Sequence, residues 1–274
     1  MQVHFVKASP CRNTTVFMEG DIPRSAYSGL GRLSMDADYL AAEQAGFLVK
    51  PKNSSSVLRL EMAGGEFCGN ATLALGALAV QRGLAGIGGT FAVECSGASM
   101  PLTCCVTKSR DGHYEVSAEM PLTAKVRPFM LEAGGKSIAG GLVELPGIAH
   151  FCTEAKLSEE MYDALMDVLE KSCENDAFGI IAYENTDASE YRIRPYVSVP
   201  SEGSRFFEQA CGSGSLSLGL WLKQQGLGSR IKVLQPGGVL AVDVCRDVPS
   251  IAADVYFPCE GEMWVEDALF AARE

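Results

Sequence analysis

Apolar and polar positions along the chain form short blocks of changing period. Val3 to Lys7 is a short run of aromatic and β-branched residues that reads as an opening strand, and Gly147 to Thr153 reads as its counterpart later in the chain. Between residues 157 and 171, Leu157, Met161, Leu165 and Val168 recur at helical spacing. Ser158 stands at the N-cap position of that helix, and the acids that follow suit its first turn. Two further stretches, Ala71 to Val80 and Leu216 to Leu222, are apolar runs of good helix formers. Turn residues at Ser96-Gly97 and at Pro236-Gly237-Gly238 predict hairpins, and Tyr114 to Met120 and Ala252 to Phe257 predict closing strands. The pattern predicts an α+β fold built on antiparallel hairpins rather than a βαβ alternation.

The blocks repeat. FCGNATLALGAL (67–78) matches ACGSGSLSLGLW (210–221): Cys68 pairs with Cys211, Gly69 with Gly212, Leu73 with Leu216, Leu75 with Leu218 and Gly76 with Gly219, at one offset of 143 positions. Upstream, EQAGFLV (43–49) resembles DAFGIIA (176–182); downstream, FAVECSGASM (91–100) resembles IKVLQPGGVL (231–240). Three matched blocks in the same order predict two halves of similar fold. The boundary is placed near residue 126, in LTAKVRPF, giving 1–126 with Cys68 and 127–274 with Cys211, the last strand being free to cross to the first half.

Composition narrows the function. A chain of 274 residues, 47% hydrophobic and 21% charged, has the make-up of an ordinary soluble globular protein of one large or two modest domains. The absence of any run of about 18 apolar residues argues against a membrane span. The opening MQVHFVKASPCRN lacks an apolar stretch followed by a cleavage site, so the cytoplasm is the expected location. The net charge of -11, with acids scattered along the chain, argues against nucleic acid or an anionic membrane as partner. Ten cysteines without a CxxC pair, beside three histidines, point neither to a disulfide framework nor to a structural metal site. Most of these cysteines, Cys104 and Cys105 among them, read as small packing residues.

Cys68 and Cys211 differ from the rest. Each stands among glycines just before an apolar helix, where unpaired N–H groups and a partial positive charge favour a thiolate and offer a site for a carboxylate. Two such helix starts facing one cleft would place a thiol on either side of an α-carbon. One would remove the α-proton while the other supplies a proton from the opposite face. A phosphate loop is a poorer reading, because GGEFCGNAT lacks the Lys-Ser/Thr pair. A Cys–His hydrolase using His150 leaves the duplicated thiol unexplained, and His150, in IAHFC, also reads as a core histidine.

FCGNA and ACGSG resemble the two active-site signatures of the diaminopimelate epimerase superfamily, which also contains proline racemases and PhzF isomerases. The resemblance spans nearly the whole chain and includes Asn13 in PCRNTTVF and the QPGG turn. It implies two pseudo-symmetric halves, each a β-barrel-like sheet around a central helix, and a cofactor-independent racemase or epimerase acting on a free amino acid. Cys68 and Cys211 would be the acid–base pair, with substrate contacts from Asn13, Glu43, Gly69, Asn70, Gly212 and Ser213; Glu43 also reads as a solvated surface acid. AAEQAGF, EFCGNAT, CGSGS and QPGG are similar to the histidine-racemase branch, which makes L-histidine the favoured substrate. Diaminopimelate epimerase proper, a racemase of another amino acid, a PhzF-like isomerase and a non-catalytic amino-acid-binding protein are the alternatives. The chain departs from diaminopimelate epimerases at Glu61-Met62-Ala63-Gly64-Gly65 and at SEGSRFFEQAC, where Arg205 is displaced and Phe206-Phe207 intervene; both changes count against diaminopimelate. PhzF proteins lack the thiol pair, and proline racemases carry His where Asn70 stands. Phe206 and Phe207 read as substrate-stacking or as plain loop residues. A homodimer is among the assemblies the sequence allows.

Overall fold

The computed structural model describes residues 1–120 and 123–267. The chain divides into two compact units, Met1–Pro121 with Ala252–Glu274, and Leu122–Ile251. Unit 1 begins with β1 (Gln2–Pro10), β2 (Thr15–Glu19), α1 (Tyr27–Met35), β3 (Gln44–Val49), β4 (Ser56–Met62), α2 (Gly69–Gln81), β5 (Thr90–Cys95), β6 (Leu102–Arg110) and β7 (His113–Glu119). Unit 2 contains β8 (Lys125–Ala133), β9 (Lys136–Leu145), β10 (Ile148–Thr153), α3 (Glu159–Ser172), β11 (Ala177–Asp187), β12 (Glu190–Val199), β13 (Ser204–Phe207), α4 (Gly212–Gln224), β14 (Arg230–Gln235) and β15 (Gly238–Asp243). The long strand β16 (Ser250–Trp264) then returns to unit 1.

The fold is mixed α+β and dominated by sheet. In unit 1, neighbouring strands run in chain order from β1 to β7, and β16 lies beside β7 and pairs antiparallel with β1, from Gln2↔Trp264 to Pro10↔Val255. The strands thus close into a ring around α2, which packs against β1, β2, β4, β5, β6 and β7. Leu73, Ala74, Leu75, Ala77 and Leu78 of this helix are wholly buried, as expected of a helix without a polar face. In unit 2, α4 packs against β8, β9, β10, β11, β14 and β15, and Leu216, Leu218 and Leu222 take the equivalent buried places. Burying each of these leucines contributes about 1.5–3 kcal/mol, so the two apolar runs organise the two cores.

The helices also create a feature that the hairpin reading omits. β2 and β3 are parallel across α1, β4 and β5 across α2, β10 and β11 across α3, and β12 and β14 across α4. A helix between two strands returns the chain to the end it started from, so each helix imposes a parallel pair on a set of otherwise antiparallel neighbours. The same register corrects one equivalence. Residues 147–153 correspond in topology to β2 rather than to the opening strand, because β10 and β2 each run parallel to the strand after the next helix; β9 takes the place of β1. Helix α3 buries Tyr162, Leu165, Met166 and Leu169, while Leu157, Met161 and Val168 pack partly buried beside them. Ser158 is its N-cap residue in backbone geometry, but its side chain makes no capping bond; Glu159 and Glu160 fill the first turn. Among the described residues no helix is long and apolar enough to cross a membrane.

Gly76 and Gly219 hold one position in the two central helices because a strand presses against each. A Cβ on Gly76 would stand 3.0 Å from Val116 Cγ1, and one on Gly219 would stand 2.8 Å from Val242 Cγ1. Gly219→Val should therefore destabilise the protein by about 1–3 kcal/mol through overpacking, read as a lower urea midpoint. An unchanged midpoint would show that α4 and β15 do not pack this closely.

Candidate active site

Both sequence-predicted cysteines are N-cap residues of the central helices, with nearly the same extended backbone. Cys68 has φ -130° and ψ 115°, and its Sγ accepts the N–H of Ala71 at 3.3 Å. Cys211 has φ -123° and ψ 110°, and its Sγ accepts the N–H of Gly214 at 3.3 Å. Each sulfur thus takes the place of the oxygen that usually caps a helix, three residues before the amide it binds. Gly69 and Asn70, like Gly212 and Ser213, supply the first two helical positions, whose N–H groups have no acceptor within the helix.

The surroundings of the two thiols differ. Cys68 is half-buried and donates its S–H to Gln44 Oε1 at 2.8 Å. Gln44 opens β3, directly after Glu43. Glu43 is exposed, its N–H donates to Thr14 in the turn that follows Asn13, and partial burial raises its carboxyl above the ordinary range. Asn13 and Asn70 are buried.

Cys211 is buried, and burial together with the nearby Glu208 carboxylate pushes its thiol well above the ordinary cysteine range. This corrects the expectation that the helix N-terminus alone would favour a thiolate there. Partial charges from the first turn and the contacts with Ser213 and Gly214 act in that direction, and desolvation outweighs them. Ser213 Oγ lies 3.4 Å from Cys211 Sγ and 2.9 Å from His150 Nε2, which links the thiol to a fully buried imidazole. Burial holds that imidazole neutral by lowering its pKa to about 3. Gly179 makes room for it, since a Cβ there would lie 2.1 Å from Nδ1.

His150 is a core histidine, as one reading of its strand has it, and through Ser213 it also reaches Cys211. The repeat conceals it: His150 pairs with Gly179 across β10 and β11, whereas the residue paired with the equivalent Gly46 is Phe17. Gln44 is hidden in the same way, because its counterpart by register is Ala177. A search of the repeat for polar residues on only one side would have found both.

Other candidates are occupied elsewhere. Arg205 is bound to Asp167 and Glu170, each at 2.7 Å, and Glu61 is held by Arg24 at 2.6 Å and Arg59 at 2.9 Å. Phe207 packs against Tyr162 and Tyr196 beneath the Arg194 guanidinium, so it belongs to an aromatic cluster rather than to a stacking surface; Phe206 is exposed. Cys104 is wholly buried, which fits a packing role, and Cys105 is partly buried.

Residues 2–253 match the family model described as the histidine racemase CntK N-terminal domain. The chain belongs to that family. It is 30% identical over 268 residues to a histidine racemase of Fusobacterium nucleatum subsp. nucleatum, covering 95% of this chain and 97% of that one. A histidine racemase of Staphylococcus aureus is 26% identical over 247 residues, covering 88% of each chain. The fold is shared with a probable proline racemase from Agrobacterium radiobacter K84 (TM-score 0.75, 9% identity, 97% of this chain and 94% of that one). A hydroxyproline epimerase from Agrobacterium vitis is similar in the same way (TM-score 0.72, 11% identity, 98% and 97%). The chain is accordingly an isomerase of the amino-acid racemase class.

His150 yields a pH prediction. The unfolded chain binds a proton on this residue near pH 6.5, and the folded chain refuses it down to about pH 3. Stability from this source is complete above the higher value and is lost as pH falls through the window. His150→Gln removes the titration, so unfolding by urea at pH 7 and pH 4.5 should show a smaller loss on acidification than in the unchanged protein. An equal loss would mean that His150 is not held neutral.

Proposed function

We propose that the chain racemises free histidine at its α-carbon without a cofactor, using Cys68 and Cys211 as the acid–base pair. The observation that carries this reading is the matched capping geometry: two sulfurs, one per unit, each bound to the third amide of an apolar helix. The substrate assignment rests on family membership and on histidine racemases as relatives across nearly the full chain.

In this reading the α-carboxylate is bound by first-turn N–H groups of Gly69, Asn70, Gly212 and Ser213, with Asn13 and Glu43 as further substrate contacts. Helix N-termini suit a carboxylate, and they suit the enolate-like charge that develops on it as the α-proton leaves even better. One cysteine must be a thiolate and the other a thiol. The raised affinity of Cys211 for its proton suits it to the role of acid, and Cys68 then serves as base once it has given up the proton it directs at Gln44 Oε1. The α-proton passes to Cys68, Cys211 donates its own proton to the opposite face, and the stereocentre inverts. The negative charge then rests on Cys211 beside Ser213, whose hydroxyl can turn to donate to it while neutral His150 accepts or donates as required. The reverse reaction starts from this second state.

Arg205 and Glu61, committed to ion pairs in their own units, are not free to hold a second amino-acid head group. This favours a mono-amino-acid substrate over diaminopimelate. Cys68→Ser and Cys211→Ser should each lower racemisation by roughly 10²–10⁴-fold, the range of a lost general acid or base, with circular dichroism unchanged. A panel of free amino acids in heavy water, read by exchange at Cα, should show histidine first. Full activity in Cys211→Ser overturns the mechanism, and exchange of diaminopimelate but not histidine overturns the substrate.

A further inference from the structure

The capping cysteines are held by more than their own sulfurs. In unit 2, the last residue of β14, Gln235, accepts the N–H of Cys211 on Oε1 at 2.7 Å. Its Nε2 donates to Ser215 Oγ at 3.0 Å, and Ser215 Oγ donates to the Cys211 carbonyl at 2.7 Å. These bonds form a closed, buried ring around the two peptide groups of one residue.

Unit 1 builds the same ring from different residues. Thr72, counterpart of Ser215 at the offset of 143, donates from Oγ1 to the Cys68 carbonyl at 2.8 Å. Cys95, the last residue of β5 and the counterpart of Gln235, receives the Cys68 N–H on its sulfur and is hydrogen-bonded with the Thr72 side chain. Cys95 is only 2% exposed, and burial keeps its thiol protonated, so it serves as a hydrogen-bonding group rather than a third nucleophile.

We propose that Gln235 and Cys95 are positioning residues for the two catalytic thiols, each tying the N–H and, through Ser215 or Thr72, the C=O of its cysteine to the sheet. With both peptide groups fixed, the sulfur's place over the helix depends on one staggered torsion, and the third amide of the helix selects that torsion. The inference rests on the two-thiol reading. Proton transfer at Cα requires each sulfur to be placed within a fraction of an ångström, and a 1 Å error costs on the order of 10²-fold.

The test uses Gln235→Met, Cys95→Val and the conservative Cys95→Ser in the full chain, with kcat and KM for histidine and amide hydrogen exchange at Cys68 and Cys211. Gln235→Met should lower kcat by about 10²-fold with KM nearly constant, and speed exchange of the Cys211 amide but not that of Cys68. Cys95→Val should do the converse at Cys68, and Cys95→Ser, whose hydroxyl still accepts the N–H, should recover most of the loss. Should Gln235→Met fold poorly, the Cys95 pair carries the test. Wild-type kcat in both Gln235→Met and Cys95→Val, or amide exchange that does not move at the paired cysteine, overturns the proposal. That outcome beside an inactive Cys211→Ser removes the clamp alone, whereas an active Cys211→Ser removes the two-thiol reading beneath it.

Discussion

A sulfur atom bound to the third amide of a buried helix is the interaction on which the rest of this structure depends. Helix starts in proteins are usually capped by a hydroxyl or carboxylate oxygen. Here a larger, softer atom takes that place twice, at Cys68 and Cys211. Neither helix can be moved to the surface, because Leu73, Leu75 and Leu78, like Leu216, Leu218 and Leu222, have no solvent exposure. The apolar runs fix the helices inside their sheets, the sheets fix where the helices begin, and the caps fix the sulfurs at those beginnings. Fold and chemistry are set by the same few residues.

The internal repeat gives the two caps one geometry, but the residues around them differ. Gln44 offers an amide oxygen to Cys68, whereas Cys211 meets Ser213, Glu208 and, through Ser213, the neutral imidazole of His150. This asymmetry has a chemical consequence. Two equal thiols in equal surroundings would share their protons evenly, whereas burial beside a carboxylate makes a thiol hold its proton more tightly.

Much of this was legible in the sequence for a physical reason. A helix without a polar face, entered through Cys-Gly, is a rare enough pattern that its second occurrence reveals the repeat, and the repeat then predicts two halves with matching helices and hairpins. Ser96-Gly97 and Pro236-Gly237-Gly238 announce their turns because glycine and proline restrict the backbone locally. The parallel pairs were not legible, since strand direction depends on where the chain returns after each helix rather than on local pattern. Gln44 was hidden by the symmetry that exposed the cysteines, because it stands opposite an apolar residue in the other half, and the link from His150 through Ser213 to Cys211 was hidden because it depends on the folded packing. The state of Cys211 was hidden as well: the helix N-terminus is visible in sequence, but the desolvation that outweighs it is a property of the folded packing.

Proton traffic at the α-carbon tests the account most directly. In heavy water, at low conversion of L-histidine, two thiols on opposite faces should give D-histidine carrying deuterium at Cα while the remaining L-histidine keeps its protium. D-histidine that retains the original protium would mean that a single group removes and returns the proton, and would contradict the paired-thiol account.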